Sequence, residues 1–183
     1  MKGVVFRGIE SLVIDKCGMN AWEELLKKNS PNGRVYISPT SYPDEEMFAL
    51  LNDVSIKLNM AMPDILKVFG KYLFNYLVTK HPVIIKDFDS FPNLIVSIDK
   101  VIHAEVAKLY YEPSLPKINA VRVDEGFILM DYYSKRKLCM CAEGLIYGAA
   151  SYFDINVTIN HIQCMHDGFA KCIIEVAYEE KNG

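Results

Sequence analysis

No stretch of this chain is apolar for long enough to cross a membrane. A spanning helix needs about 20 consecutive apolar residues, and the longest candidates, around Leu129-Met130 and Leu145-Ile146, are interrupted by charge or glycine within a turn or two. A clustered basic face is also missing. Lys and Arg number 20 against 23 Asp and Glu, for a net charge of -3 and a pI near 5.8, so the electrostatic footprint of a nucleic-acid binder is not there. The opening residues, Met1 to Gly8, have neither the apolar core nor the small-residue cleavage site of a secretory signal, and the expected location is the cytoplasm. The five cysteines are an odd number, and reducing cytosol disfavours a disulfide framework. Metal ligation or packing must account for these thiols.

Nothing divides the chain: it holds no repeat, low-complexity tract or shift in composition, and residues 1–183 read as one domain. Hydrophobic residues are plentiful, at 51% with a mean hydropathy of +0.09. That excess can line an internal cavity.

The first two thirds read as helical. Asn20 caps a segment through Lys28 that ends at Ser30-Pro31-Asn32-Gly33. Asp44-Glu45-Glu46 open another after Pro43, with acids at the positive helix end. A third begins near Pro63 and Asp64 and runs through Phe74 to Thr79. Phe91 to Tyr111 reads as one long periodic helix stopped by Pro113. The period then changes. Ile118 to Val123 and Gly126 to Tyr133 read as strands joined at Asp124-Glu125, a helix runs from about Leu138 to Phe153, and Asn156 to His161 and Ala170 to Tyr178 are strand-like. This order predicts an α+β fold: an N-terminal helical part, then a small antiparallel sheet with an inserted helix.

Three features carry chemistry. On the long helix, His103 shares a face with Val96, Val106, Ala107 and Tyr110 at helical spacing; by itself this fits a core histidine as well as a metal ligand. Pro116 follows. In an extended segment Tyr132, Ser134 and Arg136 project to one side, and their phenol, hydroxyl and guanidinium can all donate, the last as a fork suited to carboxylate. A solvated strand face has the same alternation. Taken together, an imidazole and an anion grip suit a metal held in an organic frame with carboxylates on its rim, as in haem.

These residues carry a resemblance. His103, Pro116, the Tyr132-x-Ser134-x-Arg136 element and the opening Met1-Lys2-Gly3 resemble the haem nitric oxide/oxygen binding (H-NOX) family of bacteria, which includes the haem domain of soluble guanylate cyclase. The similarity spans the whole chain. It implies haem b buried between the helical part and the sheet, with His103 as axial iron ligand. It further implies that Tyr132, Ser134 and Arg136 hold the propionates, and that Pro116 presses on the porphyrin and distorts it. Val5, Ile9, Phe74, Cys141 and Leu145 would line the distal side.

Oxygen-binding relatives carry a distal tyrosine five residues past the arginine of the motif; here that residue is Cys141, whose thiol is a weak donor. The departure points to a site for NO, and for CO, that discriminates against O₂, and to release of His103 when NO binds. Such a change is local and readable by a partner.

The C-terminal third holds a second set: Cys139, His161, Cys164 and Cys172 suit a closed tetrahedral structural zinc, and a subset of bacterial H-NOX proteins is similar in having one. Free buried cysteines are also common, and His166 is a rival ligand. Residues two apart on a helix lie about 200° apart, so Cys139 and Cys141 should face opposite ways. Met47, Met60 and Met62 read as packing. Gly144-x-x-x-Gly148 is expected to pack close over a flat cofactor.

No residue set suggests turnover of a substrate, so the expectation is a sensor and not an enzyme. By resemblance it acts in trans on a histidine kinase, or on a diguanylate cyclase or phosphodiesterase, with no nucleic acid or membrane as partner. A zinc–thiol redox sensor is the alternative, and an O₂ sensor or gas carrier of the same fold is a third reading that Cys141 disfavours.

Overall fold

The computed structural model describes residues 1–30, 34–109 and 114–180. Its first half is helical: α1 (Gly3–Cys17), α2 (Met19–Asn29), α3 (Asp44–Leu58), α4 (Met62–Lys80) and α5 (Pro82–Ile85). α1 had no separate boundaries in the sequence. Helix α2 starts after Gly18, not at Asn20, because the backbone turns at that glycine with φ +84°. Pro43 precedes α3, whose first turn holds Asp44, Glu45 and Glu46. Pro63 lies in the first turn of α4, where its missing N–H costs nothing.

The expected long helix from Phe91 is broken. It consists of α6 (Phe91–Val96), a π-helical segment (Ile98–His103) and α7 (Ala104–Leu109); Tyr110, Tyr111 and Pro113 lie outside the described residues. The Ser97 carbonyl accepts from Val101 N–H at 2.8 Å and from Ile102 N–H at 3.4 Å, a five-residue span. A wide turn takes in one residue more than an α-turn, so side chains beyond it slip by about 100° relative to those before it. The face inferred for His103 is therefore cut in two. Val106 stays with it at the cavity, whereas Ala107 is exposed and Val96 packs elsewhere in the core.

The second half is a four-stranded antiparallel sheet of order β1-β2-β4-β3, formed by β1 (Lys117–Asp124), β2 (Phe127–Tyr133), β3 (Ile155–Gln163) and β4 (Cys172–Glu180), with α8 (Cys139–Tyr152) inserted between β2 and β3. Period-two alternation sets its inner face. Ile128, Met130 and Tyr132 of β2 stand opposite Val176, Ile174 and Cys172 of β4, and all six are buried. The α+β reading of the sequence holds.

Two hydrophobic clusters form. One joins α1 to α4 through residues such as Phe6, Leu12, Leu50 and Phe69; the other joins α6, α8 and the sheet. Helix α8 touches both, because Cys141 belongs to the first and Cys139, Ala142 and Ile146 to the second. Its close seat on α4 depends on two glycines. A Cβ on Gly144 would stand 2.1 Å from the Lys67 carbonyl oxygen and 2.8 Å from the Cα of Gly70. Gly148 packs on the Phe74 side chain. The Gly144-x-x-x-Gly148 pair thus serves a helix–helix contact and not a cofactor surface, which corrects the sequence expectation. Met47 is fully buried, and Met60 and Met62 pack against the same cluster. Among the described residues no helix is long and apolar enough to cross a membrane.

Candidate functional site

Where the two clusters meet, they enclose a cavity of about 390 Å³, within the range of ligand sites. Val5 of α1, Phe69, Leu73 and Phe74 of α4, and Cys141 and Leu145 of α8 contribute to its wall, as do His103, Val106 and Pro116 from the chain leading into the sheet. Tyr132, Ser134 and Arg136 form a polar group in the same lining. Of the residues expected there, Ile9 is not brought to the cavity; it is fully buried inside the helical cluster. Ile95, Ile98 and Ile102 line the cavity without having been singled out in the sequence, and His81, which the sequence suggests only as a loop residue before Pro82, lines it too.

His103 ends the π-helical segment with its side chain only 15% exposed. Its Nδ1 lies 3.0 Å from Asp99 Oδ1 across the wide turn. The carboxylate fixes the ring and leaves Nε2 as the nitrogen available to a metal, the usual arrangement behind a ligating histidine.

The Tyr-x-Ser-x-Arg element is not one extended run. β2 ends at Tyr133, and Ser134 and Arg136 lie in the turn before α8, where Lys137 adopts φ +51°. All three still face the cavity. Ser134 Oγ accepts the Arg136 backbone N–H at 3.2 Å. Burial pushes the Tyr132 phenol upward, so it stays a neutral donor.

Arg136 is anchored from behind. Its Nε and Nη2 donate to Asp44 Oδ2 and Oδ1 at 2.5 and 3.2 Å, and Nη1 donates to the Ser114 carbonyl and hydroxyl at 2.9 and 3.0 Å. Asp44 also accepts from the Met1 amine at 2.6 Å. Burial alone would raise the Asp44 carboxyl. Hydrogen bonds from Arg136 and the amine outweigh burial and hold it below 3.8. Asp44 was read in the sequence only as a helix-start charge; its partner is 92 residues away, and no local pattern could reveal it.

Apolar walls, one imidazole with a free nitrogen and a cluster of phenol, hydroxyl and guanidinium suit a flat apolar cofactor that carries a metal and rim carboxylates. At Cys141, burial pushes the thiol up to about 12, so it remains neutral.

Beyond α8 lies the second cluster. One ligand atom each from Cys139, His161, Cys164 and Cys172 lie within 4.8 Å of one another. Cys139 and Cys164 sulfurs are 3.6 Å apart, and Cys164 and Cys172 sulfurs 3.7 Å. Burial raises Cys139 and Cys172. Burial also opposes ionisation of Cys164, but the backbone N–H of His166, the His161 ring and the neighbouring thiols outweigh it and lower that thiol. Both His161 ring nitrogens are buried without a well-formed hydrogen bond, and Nε2 stands 2.7 Å from Glu143 Oε1. Three sulfurs and an unsatisfied imidazole suit a closed tetrahedral ion. His166, the rival, is exposed and donates from Nε2 to the Lys137 carbonyl at 2.9 Å. Cys139 and Cys141 face opposite ways, as helical geometry requires.

The α+β fold and its walled cavity define a domain suited to enclosing a cofactor. A family model described as Haem-NO-binding matches residues 2–161, and the chain belongs to that family. Its members bind haem and are sensor domains, not catalysts. The chain is similar to an H-NOX protein of Shewanella oneidensis solved in the Fe(II) state as a triple mutant, with 43% identity, a TM-score of 0.96, and 100% of this chain and 98% of that one covered. The Fe(II)NO state of an H-NOX protein from that organism gives 44% identity and a TM-score of 0.95, covering 98% of this chain and 100% of that one. The soluble guanylate cyclase gcy-32 of Caenorhabditis elegans is 23% identical over 167 residues, which are 87% of this chain but only 24% of the cyclase. The chain thus spans about a quarter of that relative's length.

Proposed function

We propose that this chain is a single haem domain, residues 1–183, that senses NO in the cytoplasm and signals in trans to a histidine kinase, or to a diguanylate cyclase or phosphodiesterase. The observation that carries the reading is Cys141. Val5, Phe69, Leu73, Phe74, Cys141 and Leu145 put one polar side-chain atom on their part of the cavity wall, a neutral buried thiol. Bound O₂ depends on a strong donor for the negative charge it gathers, and NO does not. Haem would supply the ferrous iron that takes the gas. His103 would hold that iron from Nε2 with Asp99 behind it, Tyr132, Ser134 and Arg136 would hold the propionates, and Pro116 would lie against the macrocycle. Because His103 closes a π-helical segment, release of its ring would free the end of a wide turn, a local change that a partner can read.

Zinc in the Cys139, His161, Cys164 and Cys172 cluster is part of the same proposal, as a structural ion. The close sulfur contacts favour one second reading, a zinc–thiol redox sensor. Absorption spectra of the reduced protein decide between them. The NO reading expects a large Soret shift with NO and no stable O₂ complex in air. A stable O₂ complex would overturn it, and a signalling response to thiol oxidation but not to NO would favour the second.

A further inference from the structure

Glu143 is a charged side chain with 5% exposure, and no step of the haem reading uses it. Glutamate is almost never buried unless paired, and its two oxygens are divided. Oε2 lies 2.9 Å from Lys67 Nζ on α4, and Oε1 lies 2.7 Å from His161 Nε2 on β3. Glu143 also sits four residues after Cys139 on α8, on the same helix face one turn along. A single face of α8 therefore offers the cluster one sulfur and one carboxylate.

We propose that Glu143 is the positioning residue of the cysteine–histidine site and that Lys67 anchors it. With Nε2 turned to Glu143, Nδ1 is the nitrogen left for the metal. Carboxylates behind ligating histidines fix the tautomer and ring orientation and raise ligand basicity. Lys67 holds the second oxygen, so the carboxylate cannot swing away from the imidazole. A carboxylate serving only to pair α8 with α4 would need Lys67 and would have no reason to meet His161.

The inference rests on the zinc reading above, and the test separates the two. Wild type, Glu143→Gln, Glu143→Ala and Lys67→Met are freed of metal under reducing conditions. Zinc is then titrated against a chromophoric chelator, and cobalt(II) is added in parallel. Wild type takes up one zinc. Glu143→Ala binds it about ten- to a hundredfold more weakly. Glu143→Gln falls between, since its amide oxygen still accepts from Nε2–H but no longer holds the Lys67 charge, and Lys67→Met loses a few-fold. The cobalt ligand-field bands of Glu143→Ala shift while its thiolate charge-transfer band remains, a signature that a purely structural ion pair would not move. If Glu143→Ala does not fold, Glu143→Gln, which keeps the shape, decides alone. Wild-type affinity and an unchanged cobalt spectrum in the glutamate variants overturn the role of Glu143 and leave the zinc site standing. A wild type that takes up no zinc ends both.

Discussion

The cavity and the cysteine–histidine cluster are built in opposite ways from neighbouring parts of one helix. The cavity is a hollow. It exists because apolar side chains from two clusters stop short of each other, and most of its wall is apolar, with Tyr132, Ser134 and Arg136 grouped on one part of it. The cluster has no hollow at all, with four ligand atoms inside 4.8 Å. A hollow needs rigid walls and loses contact energy to exist, whereas a ligand cluster supplies a crosslink. The difference teaches that, with an ion in the compact site, α8 would be held firm at one end while it serves the open one. Cys139 and Cys141, two residues apart, face one site each.

The sharpest way to break this contrast is at His103, the imidazole held from behind by Asp99. His103→Gly should abolish axial ligation and diminish or shift the Soret band, and added imidazole should restore it. Retention of the wild-type spectrum would remove His103 from its assigned role. The compact site should answer differently, through stability. With zinc at about a thousand times its Kd, binding contributes about 4 kcal/mol, or about 10 °C in a chain of this size. Chelation of wild type should lower the melting temperature by that order, and Cys172→Ala should start low and ignore the chelator. Equal melting curves would mean the cluster is no crosslink.

These two predictions rest on residues that the sequence singled out, though not by spacing alone. Ligand types are few and strand and helix spacing is regular, but His103 by itself fits a core histidine and the cysteines fit packing, and the family resemblance gave both sets their roles. The supports behind them were not legible. Asp44 reaches Arg136 across 92 residues, and Glu143 meets partners on α4 and β3. No periodicity records such a pair. The π-helical segment was missed because apolar spacing alone reads as continuous α-helix, and a wide turn is favoured only by what packs around it. Ile9 failed for a related reason: it has the right composition, but α1 turns it into the helical cluster.

A smaller effect tests the character of the hollow. Cys141→Tyr places a phenol where the thiol stands. If the wall lacks only a donor, O₂ dissociation from the ferrous protein should slow about tenfold, the worth of one good hydrogen bond. An unchanged rate would show that something other than the donor sets gas choice. The smallest effect belongs to the rim. Asp44→Asn should cost about 1 kcal/mol at neutral pH, since the pair is only partly buried. Because folding lowers the Asp44 carboxyl below 3.8, the native state binds fewer protons there than the unfolded one. Its contribution is therefore full above about pH 4 and fades as pH falls further. Wild type and variant should converge in acid, as denaturant melts across pH would show.

The pairing of β2 with β4 sets Tyr132 directly opposite Cys172, both on the inner face. A slip of one residue would turn both outward together. The strand alignment is thus a shared condition for the cavity's polar rim and for the cysteine–histidine cluster. A nascent chain that misaligns these strands would assemble neither, so building one of them proofreads the sheet for the other.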